Sequence, residues 1–180
     1  MIKAEEISAR VGNTFYERDQ KKLKGASMLV YIDARTCDRE LDEIFGGLWK
    51  FEWTATKGWG VKGRLEVFNK ELKEWLFRED VGYPQDTKMS KAKVEDEWLK
   101  DAVSDARKRC AVQFGVGSFL YEAPFFYLEA GMFDLKKGND GKEYIKRITD
   151  EGQRMITARI KEWMEKLNAQ KKKEGQNGTK

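Results

Sequence analysis

Cationic and acidic side chains crowd the stretch 79–115, EDVGYPQDTKMSKAKVEDEWLKDAVSDARKRCAVQFG, and they set the chemistry open to this chain. Lys108 and Arg109 are adjacent, and Lys88 and Lys91 precede them. All four carry positive charge at neutral pH, so a polyanion is the ligand they would attract. The acids allow two other readings. Asp105 lies four residues before Arg109, a helical spacing for a surface ion pair worth about 0.3–0.5 kcal/mol. Glu79 and Asp80, with Asp86 or Asp96, would suit a Mg²⁺-dependent nuclease working by two-metal hydrolysis. Adjacent residues of a strand point to opposite faces, however, which is poor geometry for joint ligation.

Cofactor and metal signals are weak. The run Gly58-Trp59-Gly60-Val61-Lys62-Gly63 has the spacing G-x-G-x-x-G, but an alternating strand pattern follows where a dinucleotide site needs a helix. No G-x-x-x-x-G-K-[ST] stretch occurs, so neither nucleotide hydrolysis nor any cofactor is expected. There is no histidine, and Cys37 and Cys110 form no C-x-x-C pair, which argues against an ordinary zinc site. Both cysteines read as reduced core residues on helices.

The elements that must position these groups follow from periodicity. Over 92–114, Leu99, Ala102, Ala106 and Cys110 recur at three- and four-residue steps and form one apolar stripe on a long helix. Lys108 falls far from that stripe and Arg109 lies at its edge. Upstream, 1–24 opens with a weak helical signal, turns polar at Gly12 and Asn13, and ends in a solvated cluster of Lys21, Lys22 and Lys24. The run 28–32 predicts a strand, and 33–45 a helix capped by Thr36 or Asp38, with Leu41, Ile44 and Phe45 as its apolar edge and Gly46-Gly47 at its end. Three strands are predicted next: Trp49, Phe51 and Trp53, then Val61, Leu65 and Val67, then Trp75, Phe77 and Val81 would form the inward face of an antiparallel sheet. Residues 114–126 should pack back on that sheet, and 136–142 is a polar turn or linker. A second long helix is predicted over 149–167, its stripe of Ile156, Ile160, Trp163, Met164 and Leu167 facing either its own sheet or a neighbouring subunit. The tail 168–180 reads as disordered and basic.

The wording of these segments resembles the Rad fifty-two type single-strand annealing family, including its phage Sak-like members. In that family an Asp-Val-Gly-Tyr strand end precedes a helix ending in Lys-Arg and Phe-Gly, as Asp80 to Tyr83, Lys108-Arg109 and Phe114-Gly115 do here. Ile7-Ser8-Ala9-Arg10 is similar to the family's Ile-Ser-x-Arg element, whose arginine contacts DNA, and Tyr31-Ile32 with Arg35 is similar to its Tyr-Ile-x-x-Arg segment. The likeness covers roughly residues 7–121. It implies an α+β fold with an antiparallel β-β-β-α core, a sheet of three to four strands packed on one long helix, with an additional C-terminal helix, assembled as a ring-forming oligomer. It also implies ATP-independent binding and annealing of single-stranded DNA in recombination and repair, without catalysis, the strand lying along a basic groove. The expected DNA-binding residues are Arg10, Lys22, Lys24, Tyr31, Lys88, Lys91, Lys108 and Arg109, with Tyr31 either stacking on a base or buried in the core. One departure is that Cys110, Ala111, Val112 and Gln113 occupy the turn where the family often adds a further basic residue, which would leave the groove less basic. Expected partners are single-stranded DNA, further copies of the chain, and a single-stranded DNA-binding protein, a recombinase or an exonuclease. A non-annealing DNA- or RNA-binding module is the alternative.

Composition is consistent with this. In 180 residues, 37% are charged yet the net charge is only +4, so a basic site must arise by clustering. Six Trp, ten Phe and six Tyr are enough for a sizeable core. No run approaches the ~18 apolar residues of a membrane span, and the N-terminal residues lack a signal-peptide core, so the expected location is cytoplasmic. The expected division is 1–148 as the DNA-binding domain, 149–167 as a packing helix and 168–180 as tail.

Overall fold

The N-terminal segment is extended in the computed structural model, which describes residues 2–58, 60–84 and 94–177. A short 3-10 turn at Ala4–Glu6 leads into β1 (Ile7–Tyr16), which pairs with β2 (Leu23–Ile32). This corrects the helix-then-loop expectation for 1–24. The helix-favouring run Ala4-Glu5-Glu6 ends at position 6, and Ile7, Val11, Thr14, Phe15 and Tyr16 supply the β-prone side chains of a strand.

The chain divides into two compact units, one formed by 1–2 and 32–119, the other by 3–31 and 120–180. The first begins with α1 (Ala34–Phe45). Its cap is Asp33 rather than Thr36 or Asp38, because the Asp33 carboxylate takes the Thr36 N–H at 2.7 Å. That bond also holds the Asp33 carboxyl below its ordinary pKa. Leu41 is buried and Phe45 half-buried, but Ile44 is exposed and lies outside the apolar edge expected of it. The inward face is instead built on Cys37, Glu40 and Leu41. Gly46 closes the helix at φ 62°, a left-handed conformation suited to glycine.

Strands β3 (Trp49–Ala55), β4 (Val61–Asn69) and β5 (Glu74–Gly82) form an antiparallel sheet in that order. Against it lies α2 (Val94–Val112), whose Ala102 and Ala106 join Val61 in a buried cluster edged by Phe51, Trp98 and Leu99. The expected third strand is correct in position but inverted in face. β5 pairs Leu76 with Val67 and Arg78 with Leu65, so its even-numbered residues share the face of β4's buried residues. Trp75 and Phe77 therefore lie on the open side and are exposed, with the Arg64 guanidinium 3.9 Å from the Phe77 ring. The loop 70–73 fixes this parity: the Asn69 side chain accepts the Glu71 and Leu72 N–H groups and Lys73 takes φ 54°. A one-residue change of register exchanges the faces.

In the second unit β6 (Phe126–Glu129) continues the β1–β2 sheet on the far side of β2, with Met28 opposite Phe126 and Ala26 opposite Leu128. Of the polar stretch 136–142, residues 138–142 form the turn of a hairpin between β7 (Phe133–Lys137) and β8 (Glu143–Ile148), and Lys136 and Lys137 are paired residues of β7. Last comes α3 (Asp150–Asn177), started by Thr149, whose hydroxyl accepts the Gly152 N–H at 3.1 Å. Its Ile156, Ile160 and Met164 are buried, and the helix lies against β6, with Trp163 edge-on to Phe126. The stripe thus packs within its own unit. The helix also runs past Leu167 to Asn177 where a disordered tail was expected, because Ala, Gln, Lys and Glu extend a nucleated helix at little cost.

Candidate nucleic-acid interface

The Asp-Val-Gly-Tyr strand end is a clamp for α2. Asp80 accepts the Val81 N–H at 2.7 Å and Arg109 Nε at 3.0 Å, with Gln113 Nε2 at 3.4 Å. Two residues on, Gly82 lies so close to the helix that a Cβ there would stand 2.1 Å from the Ala106 nitrogen and 2.3 Å from the Ala102 oxygen. The Tyr83 N–H then reaches the Asp105 carboxylate at 3.1 Å. The expected Asp105–Arg109 helix pair is therefore replaced: Asp105 serves Tyr83, and Arg109 crosses to the strand.

Arg107, which sequence reasoning passed over, holds α1 to α2. Its Nη1 is 2.8 Å from Asp38 and its guanidinium is 5.5 Å from the Phe51 ring centre. Burial pushes the Asp38 carboxyl above its ordinary pKa even though Arg107 pulls it back. The alternation Arg107-Lys108-Arg109 was the available signal, since three consecutive cations on a helix cannot all face one way. Phe45 and Phe114, the two Phe-Gly phenylalanines, meet edge to face at 6.0 Å. Cys37 and Cys110 are both buried free thiols, and burial pushes the Cys37 thiol up to about 12.

The eight expected DNA-binding residues are distributed as follows. Lys108 is half-buried and Arg109 exposed, side by side near the end of α2 in the first unit. Arg10 is exposed on β1, Lys22 is exposed just before β2, and Lys24 is exposed on β2, all in the second unit. Tyr31, near the other end of β2, is half-buried. Lys24 and Tyr31 are seven residues apart on β2, about 23 Å along the strand and on opposite faces, so they do not share one contact. Lys88 and Lys91 lie outside the described residues, as does Asp86.

Glu79 turns to the open face, where Lys62 Nζ is 2.9 Å away, while Asp80 faces Arg109. The two acids proposed for a nuclease are thus occupied by different cations. Among the described residues no three His, Cys, Asp or Glu side chains are placed to share a metal ion. The G-x-G-x-x-G run leads into β4, a strand rather than the helix that a dinucleotide site requires. Among the described residues no helix is long and apolar enough to cross a membrane.

Comparison with known proteins finds relatives for part of the chain. Two curated relatives are similar, both named single-stranded DNA-binding protein DdrA. The protein from Deinococcus deserti is 40% identical over 102 residues, covering 55% of this chain and 44% of the relative. The protein from Deinococcus radiodurans is 38% identical over 102 residues, covering 55% of this chain and 43% of the relative. The matched stretch thus spans less than half the length of these relatives. No solved structure matches the chain. A family model described as Rad52/22 family double-strand break repair protein matches residues 2–130, well over half of the chain, and takes in the Asp80–Tyr83 clamp and the Lys108-Arg109 pair. The chain therefore belongs to the Rad52/22 family of double-strand break repair proteins.

Proposed function

We propose that this chain binds single-stranded DNA through its phosphate backbone and anneals complementary strands without nucleotide hydrolysis, as a homo-oligomeric ring. The observation that carries the reading is the end of α2, where the clamp of Asp80 and Gly82 fixes a helix bearing Lys108 and Arg109 within the stretch matched to the family. Phosphates held by Lys and Arg give affinity that ignores sequence and falls with salt, and base edges left unread remain free to pair. Annealing then requires binding and release only, so no catalytic group enters. Sheet edges that carry unpaired backbone groups favour edge-to-edge, head-to-tail association, which closes into a ring when the rotation per subunit permits. Arg10, Lys22, Lys24, Lys88 and Lys91 are assigned to the same strand-binding role, and Tyr31 to stacking.

The two DdrA relatives are named for single-stranded DNA binding, which supports the binding step shared with a second reading, strand binding without annealing. Complementary oligonucleotides carrying a fluorescent donor and acceptor distinguish the two. With saturating protein, low salt and neither ATP nor metal, annealing should be faster than in protein-free buffer. Equal rates with demonstrated binding would leave the binding-only reading. Absence of binding would overturn both.

A further inference from the structure

A shallow groove of about 600 Å³ lies between β1 and β8 within the second unit. Its ionisable lining among the described residues consists of Lys142, Lys146, Arg147, Tyr16 and Tyr144, with Asp134 and Asp140 just behind Arg147 and Tyr144. Three cations against the single acid paired with Arg147 leave a net positive charge that favours an anion, and two phenol rings beside them add a surface on which a planar base can stack.

The walls are fixed by named contacts. The Tyr16 hydroxyl donates to the Glu143 carbonyl at 3.0 Å, and the Glu143 carboxylate turns away to accept the Leu23 N–H at 2.8 Å. The Glu143 N–H also donates to the Lys21 carbonyl, which ties the start of β8 to the β1–β2 turn. Lys142 Nζ sits 4.0 Å from the Tyr16 ring centre, a cation–π contact that holds the charge at the groove. Tyr144 lies over Gly138, where a Cβ would stand 2.6 Å from its ring, and its hydroxyl reaches Asp140 at 2.7 Å. The ring is thus oriented before any ligand arrives, yet it is 39% exposed. Lys146 and Arg147 are exposed, Arg147 leaning on Asp134 of β7.

From this geometry we infer that the groove is a second contact for single-stranded DNA, with Lys142, Lys146 and Arg147 holding phosphates and Tyr144 stacking on a base. The inference rests on the single-strand reading above and deepens it. β8 lies beyond residue 130, where the family match ends, and belongs to the second unit, whereas Lys108 and Arg109 belong to the first.

The test uses the full chain with a thymidine oligonucleotide, inorganic polyphosphate as a charge-only competitor, and a strand carrying 5-iododeoxyuridine for photocrosslinking. Lys146→Ala with Arg147→Ala should make the salt dependence of strand binding shallower by about 1.4, at about 0.7 per lost phosphate contact. Tyr144→Ala should weaken strand binding at least about fivefold, the lower end of what one stacked base contributes. Tyr144→Phe should bind as wild type, which separates loss of the ring from loss of the Asp140 bond, and the crosslink should map to Tyr144. If the groove variants bind like wild type and no crosslink falls on β8, the groove is overturned while strand binding stands. If Tyr144→Ala has no effect and polyphosphate competes as well as DNA per charge, the groove is an unselective anion site and the stacking assignment falls. A wild-type chain that binds no oligonucleotide overturns the single-strand reading itself, and the groove with it.

Discussion

Arg109 Nε stands 3.0 Å from the Asp80 carboxylate, so the last cation of α2 is fastened to strand β5 and not to Asp105 on its own helix. The pair lies at the surface, with 47% of the Arg109 side chain and 28% of the Asp80 side chain exposed. Such pairs contribute about 0–1 kcal/mol to folding, so exchanging Asp80 for another anion would carry a small structural cost.

Lys108→Ala with Arg109→Ala is therefore expected to weaken single-strand binding and to lower its salt slope by about 1.4. Folding stability should fall by no more than about 1 kcal/mol. Fluorescence anisotropy across a salt series and urea unfolding measure the two effects. Wild-type affinity, or a variant that no longer folds, would remove these residues from the DNA interface.

Gly82→Ala should cost more than any exposed charge change. Its new methyl would meet backbone atoms of Ala102 and Ala106 at 2.3 and 2.1 Å, and backbone in a helix cannot step aside as a side-chain tip can. Overpacking of this kind costs about 1–3 kcal/mol or more. A urea midpoint equal to that of wild type would show that β5 does not rest on α2 as described.

The long apolar stripe of α2 was legible because three of its four residues, Ala102, Ala106 and Cys110, are buried on one face. The strands of the first sheet were legible from alternation, but the facing of β5 was not. Trp75 and Phe77 read as inward residues, whereas the loop 70–73 sets a register that turns them out. β1 was missed because its pairing with β2 is a tertiary fact that overrides weak local propensity. The division into two units was hidden for the same reason, since β6 joins β2 across about a hundred residues of intervening chain. For the site, adjacency of Lys108 and Arg109 could be read directly, but the roles of Arg107 and Asp80 depend on neighbours distant in sequence.

Arg107→Leu removes the partner of a carboxylate whose Oδ1 already has no hydrogen bond. The variant should lose about 1 kcal/mol at neutral pH, the lower end of the cost of an unmatched polar group, because Asp38 is only half-buried. The Asp38 pKa is raised in the fold, by burial first, and loss of Arg107 raises it further. A raised carboxyl pKa means that the folded state holds the proton more tightly than the unfolded state does. Its contribution is therefore most favourable below the unfolded value of 3.8 and is lost as pH rises through the folded value. The gap between Arg107→Leu and wild type should accordingly narrow as pH falls from neutral into the acid range. Asp38→Asn in the Arg107→Leu background should recover stability at neutral pH, and a gap independent of pH would refute the account.

The C-terminal helix supplies the test of where assembly energy resides. Ile156, Ile160 and Met164 are 0%, 2% and 6% exposed within a single chain, and Phe126 of β6 meets Trp163 at 6.0 Å, so the stripe is already covered by its own unit. A ring held by sheet edges need not use these side chains at all. Ile160→Ala should then cost about 2–5 kcal/mol of folding stability, through lost burial and the cavity left behind. That cost should not depend on protein concentration, and the assembled mass measured by light scattering should stay at the wild-type value under conditions where the variant is folded. A variant whose unfolding midpoint rises steeply with concentration, or whose mass drops to that of one chain while its fold survives, would show instead that the stripe is shared between subunits.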